Sequence, residues 1–394
     1  MLKKVSNTIE LYTICTLPIL FSIGRFIPFV ETLLTALFFV MLIISQAFRK
    51  RNLIKYVIIA VLFVVSTMIG HAGSEQIEHI KPLVIFFLSF DAINSELFQR
   101  SVYHIKKYRK IIEIELFFVI AVNTIFSFLP SLGYSQEYSD KWSLSAFRGV
   151  YADPHQCAYH ICALLIILLW LGRIEFKKTH YWILALSEYC IMITGARAPS
   201  ILGLFLGIIF VIDHFVAPTS TKDMRNKVIK VCLTICGIVG VGFLVFKFTS
   251  MGYKITNSFL AGNFDNGRAK LIERDISLFK QSDIIHKLFG YGVDNVTKYH
   301  GSFKYSRQIW SHNDFLQILT GMGLLMLIVY VLYWCKRILV AKRESVLSIV
   351  LVVILVFIAY INGLYLHTRL VFLLPLLFMY FSNRRRKNKR NVRT

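Results

Sequence analysis

Acidic residues are scarce in this sequence of 394 residues: 22 Asp and Glu stand against 45 Lys and Arg, giving a formal net charge of +23. A charge excess of this size is common in nucleic-acid-binding proteins. Here, however, the basic residues stand in short blocks between long apolar runs, a distribution typical of contact with anionic lipid. Because 56% of the residues are also hydrophobic, we predict an all-α, polytopic membrane protein that binds membrane lipids and no nucleic acid.

The signatures of several common sites are missing as well. No P-loop is present, and "GYGVDN" at 290–295 lacks the third glycine and the preceding strand of a nucleotide-binding fingerprint, so we interpret it as a turn. No Cys/His cluster has metal-ligand spacing, so we expect no metal and no cofactor. The longest polar stretch contains no cysteine, so no disulfide framework is expected. The first apolar run lacks a cleavage site, so we expect no cleavable signal peptide.

The apolar runs predict about 12 membrane spans, since a span needs about 20 residues. The runs lie at roughly 9–24, 32–48, 56–72, 82–98, 111–130, 156–172, 181–196, 199–216, 230–248, 313–334, 346–365 and 369–383. Every second connection is basic, so the positive-inside rule assigns these connections and both termini to the cytoplasm. The expected organisation is spans 1–9 in residues 1–248, an outer loop in 249–312, spans 10–12 in 313–383 and a basic cytoplasmic tail in 384–394.

The outer loop at 249–312 contains a stretch that predicts one helix, from residue 266 to Gly290. Asp265 or Asn266 is expected to cap its start, and Gly290 to end it. Such a helix is expected to lie along the membrane surface or to pack on top of the bundle. Four residues at helical spacing form its apolar stripe: Ala269, Ile272, Ile276 and Phe279.

Several charged residues stand at breaks or span ends on the predicted outer side. Arg197 lies in the very short turn of "MITGARAPS", and Arg268 begins the loop helix, where helix N–H groups and a guanidinium together form an anion site. His312 stands at the mouth of the tenth span. This concentration of positive charge suits a phosphate-bearing ligand. Further candidate substrate-binding residues are Arg148, His155, Asn313 and Arg369.

Each of these residues also has a purely structural interpretation. An arginine at a span end often anchors the helix at the interface, and a histidine at a helix start often packs or caps. The pair Asn313 and Asp314 is most simply the N-cap of the tenth span. Glu188 and Asp91 lie within spans, and we expect them to be buried partners of polar groups.

Three segments, in this order, resemble the bacterial O-antigen ligase/polymerase family: "MITGARAPSILGLFLGIIF", "GRAKLIERDISLFKQSDIIHKLFGYGVDN" and "SHNDFLQILTGMGLL". "YADPHQ" is similar to that family's "DPN" stretch, with His155 where asparagine is usual. The resemblance implies a GT-C-like membrane glycosyltransferase in the bacterial inner membrane, with its active site facing the periplasm. It also implies a metal-independent reaction, in which Arg197 and Arg268 stabilise the pyrophosphate of an undecaprenyl-pyrophosphate-linked glycan and His312 serves the acceptor hydroxyl.

The acceptor implied by the resemblance is either a second lipid-linked repeat unit, for a polymerase, or lipid A-core, for a ligase. The residues after Gly323, "LLM", depart from the ligase pattern and favour a polymerase, for which a chain-length regulator is a possible partner. A transporter of polysaccharide or of lipid-linked sugar is a more remote alternative, as is a non-catalytic membrane component. The short connection "RIEFKKTH" between spans six and seven and the lack of a repeat relating the two halves count against a transporter.

Overall fold

The computed structural model describes residues 8, 10, 13–14, 16–23, 26–46, 50–71, 76–93, 95–135, 146–216, 224–248, 252, 255–256, 260, 268–301 and 310–391. This part of the chain is almost entirely helical, as predicted. It divides into two compact units. Unit 1 comprises Met1–Leu37 and Leu97–Gly262, and unit 2 comprises Phe38–Glu96 and Asn263–Thr394. The predicted cap residues Asp265 and Asn266 lie outside the described residues.

Two short strands interrupt the series of helices. Strands β1 (Tyr134–Ser135) and β2 (Ala146–Phe147) pair in antiparallel fashion. In chain order the helices are α1 (Leu17–Ile23), α2 (Pro28–Gln46), α3 (Lys50–Ile69), α4 (Gln76–Ala92), α5 (Glu96–Lys107), α6 (Arg109–Ser127), α7 (Pro130–Gly133), α8 (Pro154–Ile174), α9 (Thr179–Ile193), α10 (Arg197–Val211, continued by a π-helical turn Ile212–Val216), α11 (Met224–Phe248), α12 (Arg268–Gln281), α13 (Ile284–Phe289), α14 (Val293–Gly301), α15 (Asp314–Glu344), α16 (Val346–Ile361) and α17 (Thr368–Asn391).

Among the described residues, three helices are long and apolar enough to cross a membrane: Pro154–Ile174, Arg197–Phe215 and Asp314–Glu344. Shorter apolar helical segments lie at Thr32–Ile43, Ile54–Ile69, Val346–Ile361 and Thr368–Ser382. One face of α3 exposes large apolar side chains at helical spacing, a surface that suits lipid and not water. These side chains are Ile54, Val57, Val61, Val64 and Met68. Together these features indicate a membrane protein.

Helix α8 is the centre of unit 1. Every residue from Cys157 to Gly172 is buried, and the helix packs against α6, α9 and α10. A helix that is apolar on all sides is stable where neighbours cover it all round. Its start is well defined, because Asp153 accepts a hydrogen bond from the Gln156 N–H (3.0 Å) and Pro154 suits the first helical position.

Two glycine-containing turns interlock in unit 2, at a break in α15. Gly323 has φ 82° and ψ 175°, so α15 consists of two helical segments. The turn at 290–292 fits into this break: the Tyr291 N–H donates to Thr320 O and the Gly292 N–H to Gly321 O, both at 2.9 Å. The turn predicted from "GYGVDN" is therefore confirmed for residues 290–292, whereas Val293 already begins helix α14. The turn provides hydrogen-bond donors for helix carbonyls that the break in α15 leaves without their helical partners.

The helix predicted over 266–290 is in fact two helices, α12 and α13. Asp283 separates them as the N-cap of α13, because its carboxylate accepts hydrogen bonds from the N–H groups of Ile285 (2.8 Å) and His286 (2.9 Å). Aspartate is among the strongest N-caps, so a new helix starts where a continuous one was expected. Gly290 ends α13 with φ 80°, as predicted.

Helix α12 packs against α15, but not through its predicted apolar stripe. The side chain that it buries is Asp275, whose carboxylate accepts a 3.4 Å hydrogen bond from the Thr320 hydroxyl. The four apolar residues of the stripe are exposed or half-buried: Ala269, Ile272, Ile276 and Phe279. A polar contact therefore replaces the apolar one that the helical spacing predicts.

The two carboxylates expected to be buried partners of polar groups behave differently. Asp91 of α4 is confirmed, because it accepts hydrogen bonds from Lys55, Tyr56 (3.0 Å) and Tyr333 (2.6 Å) in unit 2. For Glu188 of α9, in unit 1, the prediction is wrong. Both of its carboxylate oxygens are buried, and neither has a hydrogen-bond partner in the described part of the chain.

The interlock at Gly323 predicts a large effect of a single methyl group. A Cβ at this position would lie 2.2 Å from Leu288 O, and its positive φ is strained for an L-residue. We expect Gly323→Ala to lower the free energy of unfolding by at least about 2 kcal/mol, of which about 1–2 kcal/mol is backbone strain. Thermal unfolding of the detergent-solubilised protein measures the loss.

Gly240→Ala is the matched control, since nothing lies within 4 Å of a Cβ built at this position in α11. Alanine is the better helix former, so this variant is expected to unfold at the same or a slightly higher temperature. Equal unfolding temperatures for the two variants would contradict the interlock.

Candidate functional site

The turn before α10 places Arg197 at a helix N-terminus inside unit 1. Gly195 has φ 66°, and the Thr194 hydroxyl accepts a 3.1 Å hydrogen bond from the Ala196 N–H, so the backbone is tightly held. Thr194, Ala196 and Ala198 are buried, whereas Arg197 is half-buried. The cap position is occupied by Ala196, whose methyl group cannot accept a hydrogen bond from the first helical N–H groups. A guanidinium and the positive end of a helix dipole therefore coincide at this turn.

Arg148 follows strand β2 in the same unit. Its N–H donates to Gly133 O (2.8 Å), and the next residues are fixed by α6, where the Asn123 side chain accepts from the Val150 N–H at 3.1 Å. Gly149 permits this close approach, since a Cβ there would lie 2.0 Å from Asn123 Oδ1. The Arg148 Nε is buried and has no hydrogen-bond partner among the residues that the structure describes. This N–H group can therefore donate a hydrogen bond to a ligand.

His155 is the second residue of α8, two positions after the N-cap Asp153. Asp153, which was grouped with it in the sequence motif, is occupied as the N-cap of the helix. Burial raises the pKa of the Asp153 carboxyl above its usual range, while hydrogen bonds from the Gln156 and His155 N–H groups oppose that shift. Asp153 thus fixes the position of His155. Of the two residues, the histidine is the candidate for binding substrate.

Arg268 in unit 2 has a structural role that its sequence position does not predict. Its guanidinium donates to Ile361 O and to Asn362 Oδ1 (2.9 Å), at the C-terminus of α16. These contacts satisfy two acceptors at a helix end and fix the orientation of the side chain. Both acceptors are uncharged, so these two hydrogen bonds orient the guanidinium without neutralising its charge.

The segment around His312 is held on both sides. The Ser311 N–H donates to Gln317 Oε1 (2.9 Å), and Asn313 caps α15 by accepting from the Leu316 N–H (3.1 Å), as predicted. Between them His312 adopts φ 52°, a left-handed conformation uncommon for a residue other than glycine. Such conformations persist where neighbouring contacts enforce them, and they concentrate at functional sites. The Asn313 Nδ2 is buried and finds no acceptor in the described ranges.

Asp314 is the site residue that sequence reasoning missed. It was expected to help cap α15; instead its Oδ2 accepts hydrogen bonds from the Tyr330 hydroxyl (2.8 Å) and from the N–H groups of Leu364 (2.9 Å) and Tyr365 (3.2 Å). Its partners lie 16, 50 and 51 residues away in the sequence, so no local sequence pattern predicts them. Gly363, at φ 77°, lets the chain approach the carboxylate closely.

Unit 2 therefore gathers its candidate residues around the turn between α16 and α17. Arg268 holds the turn at residues 361–362, and Asp314, next to His312 and Asn313, holds it at 364–365. Arg369 follows in the first turn of α17 and is 4% exposed. The remaining candidates, Arg148, His155 and Arg197, belong to unit 1.

The described residues contain no group of three or more His, Cys, Asp or Glu side chains placed to hold a metal ion. No protein-family model matches the chain, and comparison with curated proteins returns no significant match.

The three hydrogen bonds to Asp314 predict a graded loss of stability. Asp314→Ala leaves two buried N–H groups and one hydroxyl without their acceptor, at about 1–3 kcal/mol each. Tyr330→Phe removes one donor and leaves the carboxylate its two N–H partners. We expect both variants to unfold at a lower temperature, with the loss for Asp314→Ala about twice that for Tyr330→Phe or more. Equal losses would show that Asp314 does not hold the 364–365 turn.

Proposed function

We propose that this protein is a membrane glycosyltransferase that polymerises a surface polysaccharide. It transfers a glycan from undecaprenyl pyrophosphate to a sugar hydroxyl of another lipid-linked repeat unit. The observation that carries the proposal is the buried turn before α10, where a rigid backbone presents the Arg197 guanidinium at a helix N-terminus that alanine cannot cap. Helix N-termini and guanidinium groups are both preferred partners of phosphate oxygens. The family resemblance of the three sequence segments supports the same assignment.

The reaction needs one bond to break and one to form at the anomeric carbon of the donor sugar. The acceptor hydroxyl oxygen bonds to this carbon, and the undecaprenyl pyrophosphate leaves with the electrons of the broken C–O bond. Negative charge develops on the leaving group, and positively charged groups that are already in place stabilise it. Arg197 and Arg268 serve this purpose in the proposal, which makes the reaction metal-independent.

The acceptor proton goes to His312 in this proposal. A histidine titrates near neutral pH and is the commonest general base, and the anchored backbone on both sides of His312 holds it in one place. Arg148, His155, Asn313 and Arg369 are proposed to bind the donor or acceptor. For Arg148 and Asn313 the support is a buried nitrogen donor without a partner among the described residues.

The location follows from the charge pattern of the sequence. We propose a bacterial inner-membrane protein with about 12 spans, both termini in the cytoplasm and the 249–312 loop in the periplasm, because basic connections stay on the cytoplasmic side. The proposed active site then faces the periplasm, where lipid-linked repeat units are polymerised. A chain-length regulator is a proposed partner of a polymerase of this kind.

The proposal is tested by product formation in cells that supply the lipid-linked repeat unit. We expect Arg197→Lys and Arg268→Lys to lower polymer yield per molecule by roughly 10²–10³-fold, because ammonium lacks the bidentate fork of guanidinium and one stabilising contact is lost. His312→Ala is expected to lower it by about 10²–10⁴-fold, the range for a general base. Yield is measured by gel analysis of the polymer and divided by the amount of protein in the membrane.

Arg109→Lys is the matched control. Arg109 is exposed and forms a 2.5 Å ion pair with Glu175, which a lysine can also form, so the yield is expected to stay near normal. Near-normal yield for Arg197→Lys would limit that residue to anchoring the turn. For Arg268→Lys, a lower total polymer yield with a normal yield per molecule would show that this arginine has only its structural role at the end of α16.

A further inference from the structure

Glu188 carries a buried carboxyl group that the proposed transferase reaction does not use. It lies in α9, between apolar residues in the segment "LALSEYCIMI". Both of its oxygens are buried, and neither has a hydrogen-bond partner within the described ranges of the chain. An ionised carboxylate in such surroundings is unfavourable by several kcal/mol, because no partner replaces the water that it loses. The neutral, protonated acid is the form that these surroundings accept.

The space for this carboxyl group is made by two glycines of α10. A Cβ at Gly203 would lie 3.1 Å from Glu188 Oε2, and a Cβ at Gly207 would lie 2.9 Å from Oε1. The two glycines are one helical turn apart on a helix that is long and apolar enough to cross a membrane. They form a recess on the surface of α10 that any larger residue would close. The recess fixes the position of the carboxyl group between α9 and α10.

One titratable neighbour of Glu188 is a thiol. Cys162 of α8 lies within electrostatic range of the carboxyl group and donates to Pro199 O (3.2 Å). A hard cation such as sodium takes several oxygen ligands, whereas the neighbours that the structure gives this carboxyl group are Gly203, Gly207, the Ile191 and Leu184 side chains and the Cys162 thiol. A bound proton needs no such ligand set.

We propose that Glu188 is a proton-binding site within the membrane-embedded part of unit 1, with the proton as its ligand and no metal ion. Trp182 (70% exposed) and Tyr189 (36% exposed) of the same helix show that α9 lies at a surface that a lipid-soluble reagent can contact. The inference is independent of the transferase proposal, because it needs only the buried carboxyl group and the recess.

The test is labelling with dicyclohexylcarbodiimide, a lipid-soluble reagent that adds to protonated carboxyl groups. The carboxyl proton moves to one carbodiimide nitrogen, a carboxyl oxygen bonds to the central carbon, and the acyl group then shifts to nitrogen, so that no atom leaves. We expect mass spectrometry of the protein labelled in membranes at neutral pH to find the adduct on the peptide that contains Glu188. Glu188→Gln is expected to abolish it.

Ion-paired carboxylates of the same chain are the internal controls. Glu10 is paired with Arg100 (2.7 Å) and Glu113 with Lys177 (2.5 Å), and both peptides are expected to remain unlabelled, because a cationic side chain already contacts each carboxylate. An excess of sodium chloride is expected to leave the labelling of Glu188 unchanged. Protection by sodium would overturn the proposal in favour of a cation site.

A second measurement does not depend on access of the reagent. If Glu188 is neutral, the isosteric Glu188→Gln variant is expected to unfold within a few degrees of the natural protein, since an amide replaces a neutral acid of the same shape. A large fall in the unfolding temperature of this variant would overturn the proposal.

Discussion

The insertion of the 290–292 turn into the broken helix α15 is the contact on which the arrangement of unit 2 depends. A helix inside a membrane protein breaks only where something else satisfies its backbone, and here the N–H groups of Tyr291 and Gly292 do so. The contact fixes the polar segment α12–α14 against the membrane helix. It thereby sets the positions of Arg268, at the start of α12, and of the His312 segment, at the start of α15. The close approach is possible because neither Gly290 nor Gly323 has a side chain.

Hydrogen bonds to backbone groups also hold the turn between α16 and α17. Asp314 accepts two N–H groups of that turn, and Arg268 donates to a carbonyl at the end of α16. Charged side chains at these points thus hold the ends of apolar helices and also stand beside the residues proposed to act on substrate. The two hydrogen bonds of Arg268 at the end of α16 go to uncharged acceptors, so this structural role is compatible with the proposed catalytic one.

Local features of this protein were predictable from the sequence, whereas contacts between distant segments were not. The cap at Asn313, the end of a helix at Gly290 and the turn at 290–292 depend on a few adjacent residues with strong conformational preferences. The break at Asp283 was missed because helical spacing continues across it. The partners of Arg268 lie 93 and 94 residues away, and no periodicity in a single sequence reports such a pairing. The lack of a partner for Glu188 was not predictable either, because the space for its carboxyl group is made by two glycines in the next helix.

The central claim is that this chain itself joins lipid-linked sugars, with arginines in place of a metal ion. The most direct measurement uses the purified protein in lipid nanodiscs with undecaprenyl-pyrophosphate-linked repeat units, in the presence of EDTA and without ATP. The account predicts that products of two or more joined repeat units form and that free undecaprenyl pyrophosphate appears with them. If the repeat units remain single under these conditions and are joined only after a divalent metal ion is added, the account is contradicted.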